Sequence, residues 1–492
     1  MTAFYRKIAL SLTVNFGFIF LFFIPVSSSA QVNEPYTYQQ LSHICYLKQK
    51  DSLKKNWVCP SLYKEKETQK KYKEIWDGRV SFITEAMEGK AFVNDNEIYA
   101  YINSIVNDIV TSNSSLVPVK PVLLLDRSAS VNAYAIGGNI IAVNIGLITF
   151  AKSREEIALV IAHELSHNIL QHADNAMKGK AEWLTSAEYQ KSLSAVLDSK
   201  YERLTRLKKI FENYSFSRSR HNRYHESEAD SMAILLLKNS KIGFDPVYFL
   251  RLDSSDIQYK QSLKRPLKEY FTSYNVSFEE NWAQKKGRGL STKSYSFRDT
   301  STIADSLKTH PDCEERFNRT KSLAVKFTET AVPANIKEKA NKIIIWNLFD
   351  NMSMTACMYR ILLEKDKDNK DPWYDFMVHN IFTGLFYADK DLNRFNAIGV
   401  TPKEYISKDY YQLQTMFEQM PRENMEQYCN ALQKIPAWQN MSADAKALKV
   451  FMNTVTFGEP LTDKKLDNLA KEFLSNNSFS MYCEFAEHFK KK

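Results

Sequence analysis

Apolar positions recur at intervals of three and four residues along most of the chain, which is the pattern of amphipathic helices. This spacing predicts a polar helical stretch at residues 31–94, a helix at 96–110 and helices throughout the chain after Val325. Two runs rich in branched apolar residues, 117–125 and 139–143, predict strands instead. We therefore expect an α+β protein that is mainly α with a small β-sheet.

One apolar helical stretch, residues 159–170, contains the pattern H-E-x-x-H. His163 and His167 lie one turn apart on one helix face, so their imidazoles can share a metal ion. Glu164 is turned to the adjacent side, where its carboxylate can reach a metal-bound water. Residues 153–156, Ser-Arg-Glu-Glu, form a capping box that predicts the start of this helix. Chance would give the pattern roughly 0.01 times in this chain, so we interpret it as the zinc-binding helix of a metallopeptidase.

A catalytic zinc site needs a third protein ligand and an open position for water. Glu226, Glu228 and Asp230 precede an apolar run, which indicates acidic residues at the site-facing start of a second helix. Glu226 and Asp230 are spaced i, i+4 and share a face. One of them can ligate zinc while the other accepts the N–H of a ligating histidine. The alternative is that these acids favour the first turn of a helix, where the helix dipole stabilises them.

The pairing of H-E-L-S-H with a downstream E-S-E-A-D resembles the HtpX and CAAX-prenyl-protease family of zinc metallopeptidases, whose soluble bacterial members act in the periplasm. Residues 132–147, which begin Asn-Ala-Tyr-Ala, are similar to the family's N-A-F-A segment, a strand and turn that lead into the metal helix. Residues 309–316, which begin Thr-His-Pro, resemble the segment that closes its catalytic domain. The motifs occur in the family's order within residues 95–320.

The resemblance implies a zincin-type domain and a role for each site residue. Zn²⁺, one ion per chain, would be bound by three side chains, His163, His167 and Glu226. Glu164 would be the general base. Asp230 matches the acid that lies behind a metal ligand in the family.

Three other histidines need an interpretation. In soluble members of the family, the histidine that corresponds to His310 can approach the zinc and take the water position as an inhibitory fourth ligand. The equal alternative is that His310 and the following proline form a turn. His172, at the end of the metal helix, is interpreted as compensating the helix dipole and is left out of the site. His225 neighbours Glu226 but points to a different helix face.

The expected reaction is hydrolysis of peptide bonds by a zinc endopeptidase. Glu164 would take a proton from the zinc-activated water and deliver it to the leaving amine. The strand at 138–144 precedes the metal helix, so it could pair with an extended substrate by β-augmentation. Backbone pairing predicts broad sequence tolerance, and we expect misfolded or misassembled exported proteins as the polypeptide substrates.

The N-terminus has the pattern of a secretory signal peptide, because Arg6 and Lys7 precede an apolar stretch at 8–26 and small residues at 28–30. We expect export, to the periplasm of a Gram-negative bacterium or into the medium; an uncleaved membrane anchor is the alternative. No later stretch reaches the roughly 18 apolar residues that span a bilayer, which predicts a soluble enzyme. The net charge of +9 is modest and basic runs alternate with acids, so we expect no nucleic-acid partner. Association with an anionic membrane surface stays open.

The chain contains 6 cysteines, which are compatible with disulfides in an exported protein, but the sequence does not set their connectivity. Cys45 and Cys59 are close in sequence and are the favoured local bridge. Cys313 is a candidate for a link to Cys357, Cys429 or Cys483.

The predicted organisation comprises a signal peptide (1–30), an N-terminal helical extension (31–94), a zinc metallopeptidase domain (95–324) and a helical C-terminal domain (325–492). Two insertions within the peptidase domain predict a helical hairpin at 175–217 and a mobile loop at 258–302. The C-terminal helices are either divergent repeats that bind envelope proteins or helices packed on the protease. The first case gives the alternative function, a chaperone or assembly adaptor with a latent, self-inhibited zinc site.

Overall fold

The computed structural model describes residues 45–88, 91–93, 95–253, 259–284, 313–434, 441–478, 480 and 482–491. The predicted signal peptide and His310 lie outside these ranges. The described chain is mainly helical with a three-stranded sheet, so the predicted α+β class is confirmed. Among the helices of these ranges, none combines the length and apolar character needed to cross a membrane.

Three helices precede the sheet: α1 (Cys45–Asn56), α2 (Lys66–Glu88) and α3 (Asn96–Ser112). α3 begins after Asp95, whose carboxylate accepts hydrogen bonds from the backbone N–H groups of Glu97 and Ile98. Its isoleucine-rich face is buried in the core. The helix predicted at 96–110 is therefore confirmed.

The sheet consists of β1 (Val122–Asp126), β2 (Ala133–Gly137) and β3 (Ile140–Asn144) in the order β1-β3-β2. β3 is parallel to β1 and antiparallel to β2. β1 starts later than predicted, and Pro118 and Pro121 explain this because a proline has no N–H to donate to a strand ladder.

The central position of β3 shows that the prediction of substrate pairing with this strand is wrong. β1 and β2 already use its backbone groups on both sides. β2 pairs with β3 alone among the described strands and is thus an edge strand. The turn from β2 to β3 has a left-handed Gly138 (φ 59°). A Cβ there would approach the Trp57 ring to 2.3 Å, so the segment after α1 packs closely over this turn.

Five helices follow the sheet: α4 (Ile145–Phe150), α5 (Arg154–Ile169), α6 (His172–Thr185), α7 (Ala187–Leu197) and α8 (Arg203–Asn239). The helical hairpin predicted at 175–217 is confirmed in part, because α7 packs against α8 after a short connection, but the second arm continues beyond residue 217. α8 is a single helix of 37 residues. No glycine or proline interrupts it, so the insertion continues directly into the helix that carries Glu226.

Two more α-helices, α9 (Val247–Asp253) and α10 (Leu267–Thr272), and a 3-10 helix (Glu280–Ala283) follow. The mobile loop predicted at 258–302 is therefore wrong for residues 259–284. Tyr270, Phe271 and Trp282 bury their rings in the core, which anchors this segment. The remainder of that prediction falls outside the described residues.

The rest of the described chain is helical, as predicted. Its α-helices are α11 (Cys313–Thr320), α12 (Ala334–Asp350), α13 (Met354–Lys365), α14 (Pro372–Lys390), α15 (Arg394–Ile398), α16 (Lys408–Gln419), α17 (Arg422–Leu432), α18 (Ala443–Phe457), α19 (Asp463–Asn476) and α20 (Cys483–Glu487), with 3-10 helices at Lys321–Leu323 and Lys403–Tyr405. α12 packs against α4. One continuous apolar core includes residues of the sheet, of α5 and of these helices. Whether the helices are repeats stays a prediction.

No disulfide forms among the cysteines whose side chains the structure describes. Cys59 is a free thiol, so the predicted bridge to Cys45 is wrong. Cys313 is a thiol, and so are its three predicted partners Cys357, Cys429 and Cys483, so the predicted link from Cys313 is wrong. Burial raises the pKa of the Cys429 thiol to about 12, which keeps it protonated at neutral pH.

Candidate active site

The start of α5 is fixed by its N-terminal cap. The Ser153 hydroxyl accepts a hydrogen bond from the backbone N–H of Glu156, at 3.3 Å. The Glu156 carboxylate accepts the backbone N–H of Lys152 and also binds the Arg251 guanidinium. The predicted helix start is thus confirmed. Most of α5 is buried, and His163 and Glu164 are only 3% and 4% exposed.

Three side chains that the sequence singled out as metal ligands converge between α5 and α8. The Nε2 atoms of His163 and His167 are 3.0 Å apart. The Glu226 carboxylate lies 3.2 Å from His163 Nε2 and 3.5 Å from His167 Nε2. One ligand atom from each side chain lies within 4.8 Å of the other two, a spacing that one metal ion can bridge.

Glu226 does not stand at the start of its helix, as the sequence indicated. It lies well inside α8, which begins at Arg203. The dipole explanation for the acidic residues is thus wrong, because that effect is confined to the first turn. Their i, i+4 spacing is what matters, since it points Glu226 and Asp230 toward the same helix, α5.

Asp230 holds the other side of the His163 ring. Its Oδ1 lies 3.0 Å from His163 Nδ1, and its Oδ2 accepts a hydrogen bond from Arg316 Nε at 3.0 Å. Arg319 also donates to Oδ2, at 2.9 Å. Burial alone would raise the pKa of Asp230, but the hydrogen bond from His163 and the charge of Arg316 hold it at about 2. Asp230 is therefore a carboxylate that orients the ring.

The electrostatics around His163 favour a positive charge. Burial lowers the pKa of this imidazole, but the hydrogen bonds to Asp230 and Glu226 outweigh that effect and raise the pKa to about 9. A cation at the Nε2 side of the ring would receive the same stabilisation from Glu226. This environment suits a metal ion.

The sequence analysis missed Arg316, which lies on α11 in the segment that follows Thr-His-Pro. Its guanidinium stacks on the Phe249 ring at 4.3 Å and pairs with Asp230. An arginine in a charged helix gives no sequence signal for this role. His310, for which a zinc latch and a His-Pro turn were equal alternatives, lies outside the described residues.

His172 was interpreted as a capping residue outside the site, and this is wrong. Gln171 adopts a left-handed conformation (φ 56°) between α5 and α6, so that His172 turns back onto α5. His172 Nδ1 lies 2.8 Å from His167 Nδ1. Burial and the neighbouring His225 lower the pKa of His172, which favours a neutral ring that accepts the N–H of His167.

Comparison with known proteins agrees with this geometry. Residues 97–324 match the sequence model of peptidase family M48. This segment is thus similar to the M48 peptidases. A stretch of 181 residues is 28% identical to the putative beta-barrel assembly-enhancing protease of Vibrio cholerae. The match covers 35% of this chain and 36% of that relative, so the chain spans about a third of the length of the curated relative.

A cavity of about 370 Å³ lies beside His167, within the segment that matches the M48 model. The β2–β3 turn, the residues after α3 and the α5–α6 turn line it, with Val117, Gly138, Leu165 and His167 among the lining residues. β2 lies next to α5 and is the edge of the sheet. The cavity and the edge strand thus flank the convergent donors.

The three convergent donors, His163, His167 and Glu226, fit zinc. Two imidazole nitrogens and one carboxylate oxygen form one of the ligand sets that zinc peptidases use. The carboxylate of Asp230 behind His163 is the outer partner that a zinc-bound imidazole commonly has. Glu164 follows His163 directly and is buried beside it.

Proposed function

We propose that this protein is a zinc-dependent endopeptidase that cleaves misfolded or misassembled exported proteins in the bacterial envelope. The observation that carries the proposal is the convergence of His163, His167 and Glu226, with Glu164 next to the first ligand. The match of residues 97–324 to the M48 model supports a peptidase activity. The metal, the endopeptidase activity and the class of substrate are our inference.

The chemistry follows from the positions of these side chains. Zinc held by His163, His167 and Glu226 would supply a Lewis acid that activates water and polarises a peptide carbonyl. Glu164 would accept the proton of the attacking water and then donate it to the leaving amine, so that the carboxylate is regenerated. Asp230 would keep His163 oriented with Nε2 toward the ion.

Substrate binding is inferred from the surroundings of the donors. An extended polypeptide could add by backbone hydrogen bonds to the edge of β2, which faces no other strand within the part of the chain that the structure describes. This edge replaces the central β3 as the expected site of pairing. The cavity beside His167 would accept a side chain of such a substrate. Recognition through the backbone needs an extended segment, and unfolded proteins expose such segments.

The cellular setting rests on two observations. The N-terminal residues have the pattern of a signal peptide. The Vibrio cholerae relative is named as a protease that enhances β-barrel assembly. We infer that this chain acts in the periplasm, and that its C-terminal helices bind envelope protein partners.

The test is casein hydrolysis by the purified protein and by its Glu164→Gln variant. We expect the wild type to bind zinc and to cut casein at internal bonds, which mass spectrometry of the fragments shows. The variant should keep zinc and lose roughly 100-fold or more of the rate, because the general base is absent. Glu182→Gln is the matched control. Glu182 lies near the end of α6, away from the donors, and its carboxylate accepts a hydrogen bond from the Tyr63 hydroxyl. Zinc binding without casein cleavage in the wild type would overturn the proposal.

A further inference from the structure

A second group of metal-type donors lies beside the candidate zinc ligands. His172, His225 and Glu228 each place one ligand atom within 4.8 Å of the other two. The His172 and His225 rings stack with centroids 4.3 Å apart. His172 Nε2 lies 3.6 Å from a Glu228 carboxylate oxygen. The peptidase mechanism proposed above uses neither His225 nor Glu228.

We propose that His172, His225 and Glu228 form a second metal site, which takes a zinc-type divalent ion. Two imidazole nitrogens and one carboxylate oxygen suit zinc and its neighbours, whereas calcium and magnesium prefer oxygen ligands alone. The residues come from two helices, with His172 at the start of α6 and the others one turn apart on α8. His172 is buried and the other two are half-buried, so an ion can enter from the solvent side.

The two sites share a hydrogen bond, and this part of the inference rests on the proposed function of His167 as a zinc ligand. When Nε2 of His167 is a ligand, its Nδ1 carries the proton and donates to His172 Nδ1 across 2.8 Å. The neutral His172 ring then carries its own proton on Nε2, the atom that faces Glu228.

An ion in the second site therefore opposes the first. If this ion binds to His172 Nε2, the proton of that atom moves to Nδ1 of the same ring by exchange with solvent. Two N–H groups would then face each other between His167 and His172, and their hydrogen bond would be lost. Loss of such an outer partner weakens metal binding by about 10–100-fold. The second site thus weakens zinc binding at the first when zinc is abundant.

The site is tested by zinc stoichiometry of the full chain in the Glu164→Gln background, which prevents self-cleavage. Equilibrium dialysis over a range of zinc concentrations, followed by elemental analysis, should show one tight and one weaker zinc. His225→Ala and the conservative Glu228→Gln should each remove the weaker zinc and keep the tight one. His488→Ala is the control, because His488 pairs with Asp350 far along the chain and should leave both ions bound.

The outcomes separate the two proposals. Binding of a single zinc that His163→Ala removes and His225→Ala keeps would overturn the second site and leave the peptidase proposal standing. A weaker zinc that only His225→Ala removes, without any tight zinc, would support the second site and refute the first. Loss of both ions in His225→Ala, with an unchanged circular dichroism spectrum, would contradict two separate sites.

The coupling has its own test. The tight site is loaded with zinc-67, and natural zinc is added at the concentration that fills the weaker site. Release of zinc-67 should be about 10–100-fold faster in the parent protein than in its His225→Ala variant. Equal release rates in both proteins would overturn the opposition between the sites.

Discussion

The two histidines of α5 present their Nε2 atoms to one point but are held from behind in different ways. The His163 ring is backed by the buried ion pair of Asp230 and Arg316, which Arg319 joins from the more exposed side. The His167 ring is backed by another imidazole, His172, whose neighbours are half-buried. One side of the site is fixed by charge in the interior, and the other is adjustable and open toward solvent.

This difference indicates a division of labour. The buried cluster couples the position of His163 to the packing of α8 and α11, because Asp230 and Arg316 come from these two helices. A buried ion pair is costly to break, since either partner alone is a buried charge. Behind His167 stands a second imidazole rather than a carboxylate and a guanidinium, and this contact can rearrange. We therefore expect changes behind His163 to affect stability and zinc together, and changes behind His167 to affect mainly zinc.

The largest expected effect is that of Asp230→Asn. The substitution leaves Arg316, which is 5% exposed, without its carboxylate. We expect the free energy of unfolding to fall by about 3–5 kcal/mol, and the zinc affinity to fall about 10–100-fold. Urea unfolding and zinc titration measure the two quantities. Asp77→Asn is the control, because Asp77 pairs with Lys73 on the exposed side of α2 and its loss should leave both quantities nearly unchanged.

The lowered pKa of Asp230 should also make the free energy of unfolding depend on pH. The pKa of Asp230 is about 2 in the folded protein, below its ordinary value of 3.8. A carboxyl whose pKa is lowered by folding contributes stability above its unfolded pKa, and this contribution is lost as the pH falls through the folded pKa. The free energy of unfolding should therefore decrease from about pH 4 toward pH 2. Asp230→Asn should lack this part of the decrease; an unchanged acid profile in the variant would contradict the assignment.

The smallest effect on the free energy of unfolding is expected from substitutions of His172, the residue that lies behind His167. His172→Leu removes the acceptor of the His167 N–H, so zinc affinity should fall about tenfold. His172→Asn keeps an acceptor oxygen on a shorter side chain and should recover part of that loss. Zinc titration of both variants, with urea unfolding beside it, makes the comparison. A loss of stability as large as that of Asp230→Asn would show that the two sides of the site do not differ as we describe.

The sequence predicted those features that depend on local periodicity. H-E-x-x-H, the capping box at Ser153 and the i, i+4 pair Glu226 and Asp230 all act within one or two helical turns, so their geometry follows from spacing. The role of His172 does not follow from spacing, because it depends on the left-handed backbone of Gln171. The only signal in the sequence for a contact with His167 was that His172 follows it by five residues.

Features set by tertiary contacts could not be predicted from spacing. The order of the strands, which makes β2 the edge, is decided by packing on α5 rather than by the apolar runs themselves. Arg316 meets Asp230 across 86 residues of sequence. The full length of α8 was missed because the charged insertion was interpreted as ending at residue 217, although residues 203–239 contain no glycine or proline.

The most direct test of the central claim is the position of zinc in a crystal of the zinc-loaded protein, located by anomalous scattering at the zinc edge. We predict a peak about 2.0–2.2 Å from Nε2 of His163, Nε2 of His167 and a carboxylate oxygen of Glu226. The absence of a peak between these three side chains, in crystals that contain zinc, would contradict the account.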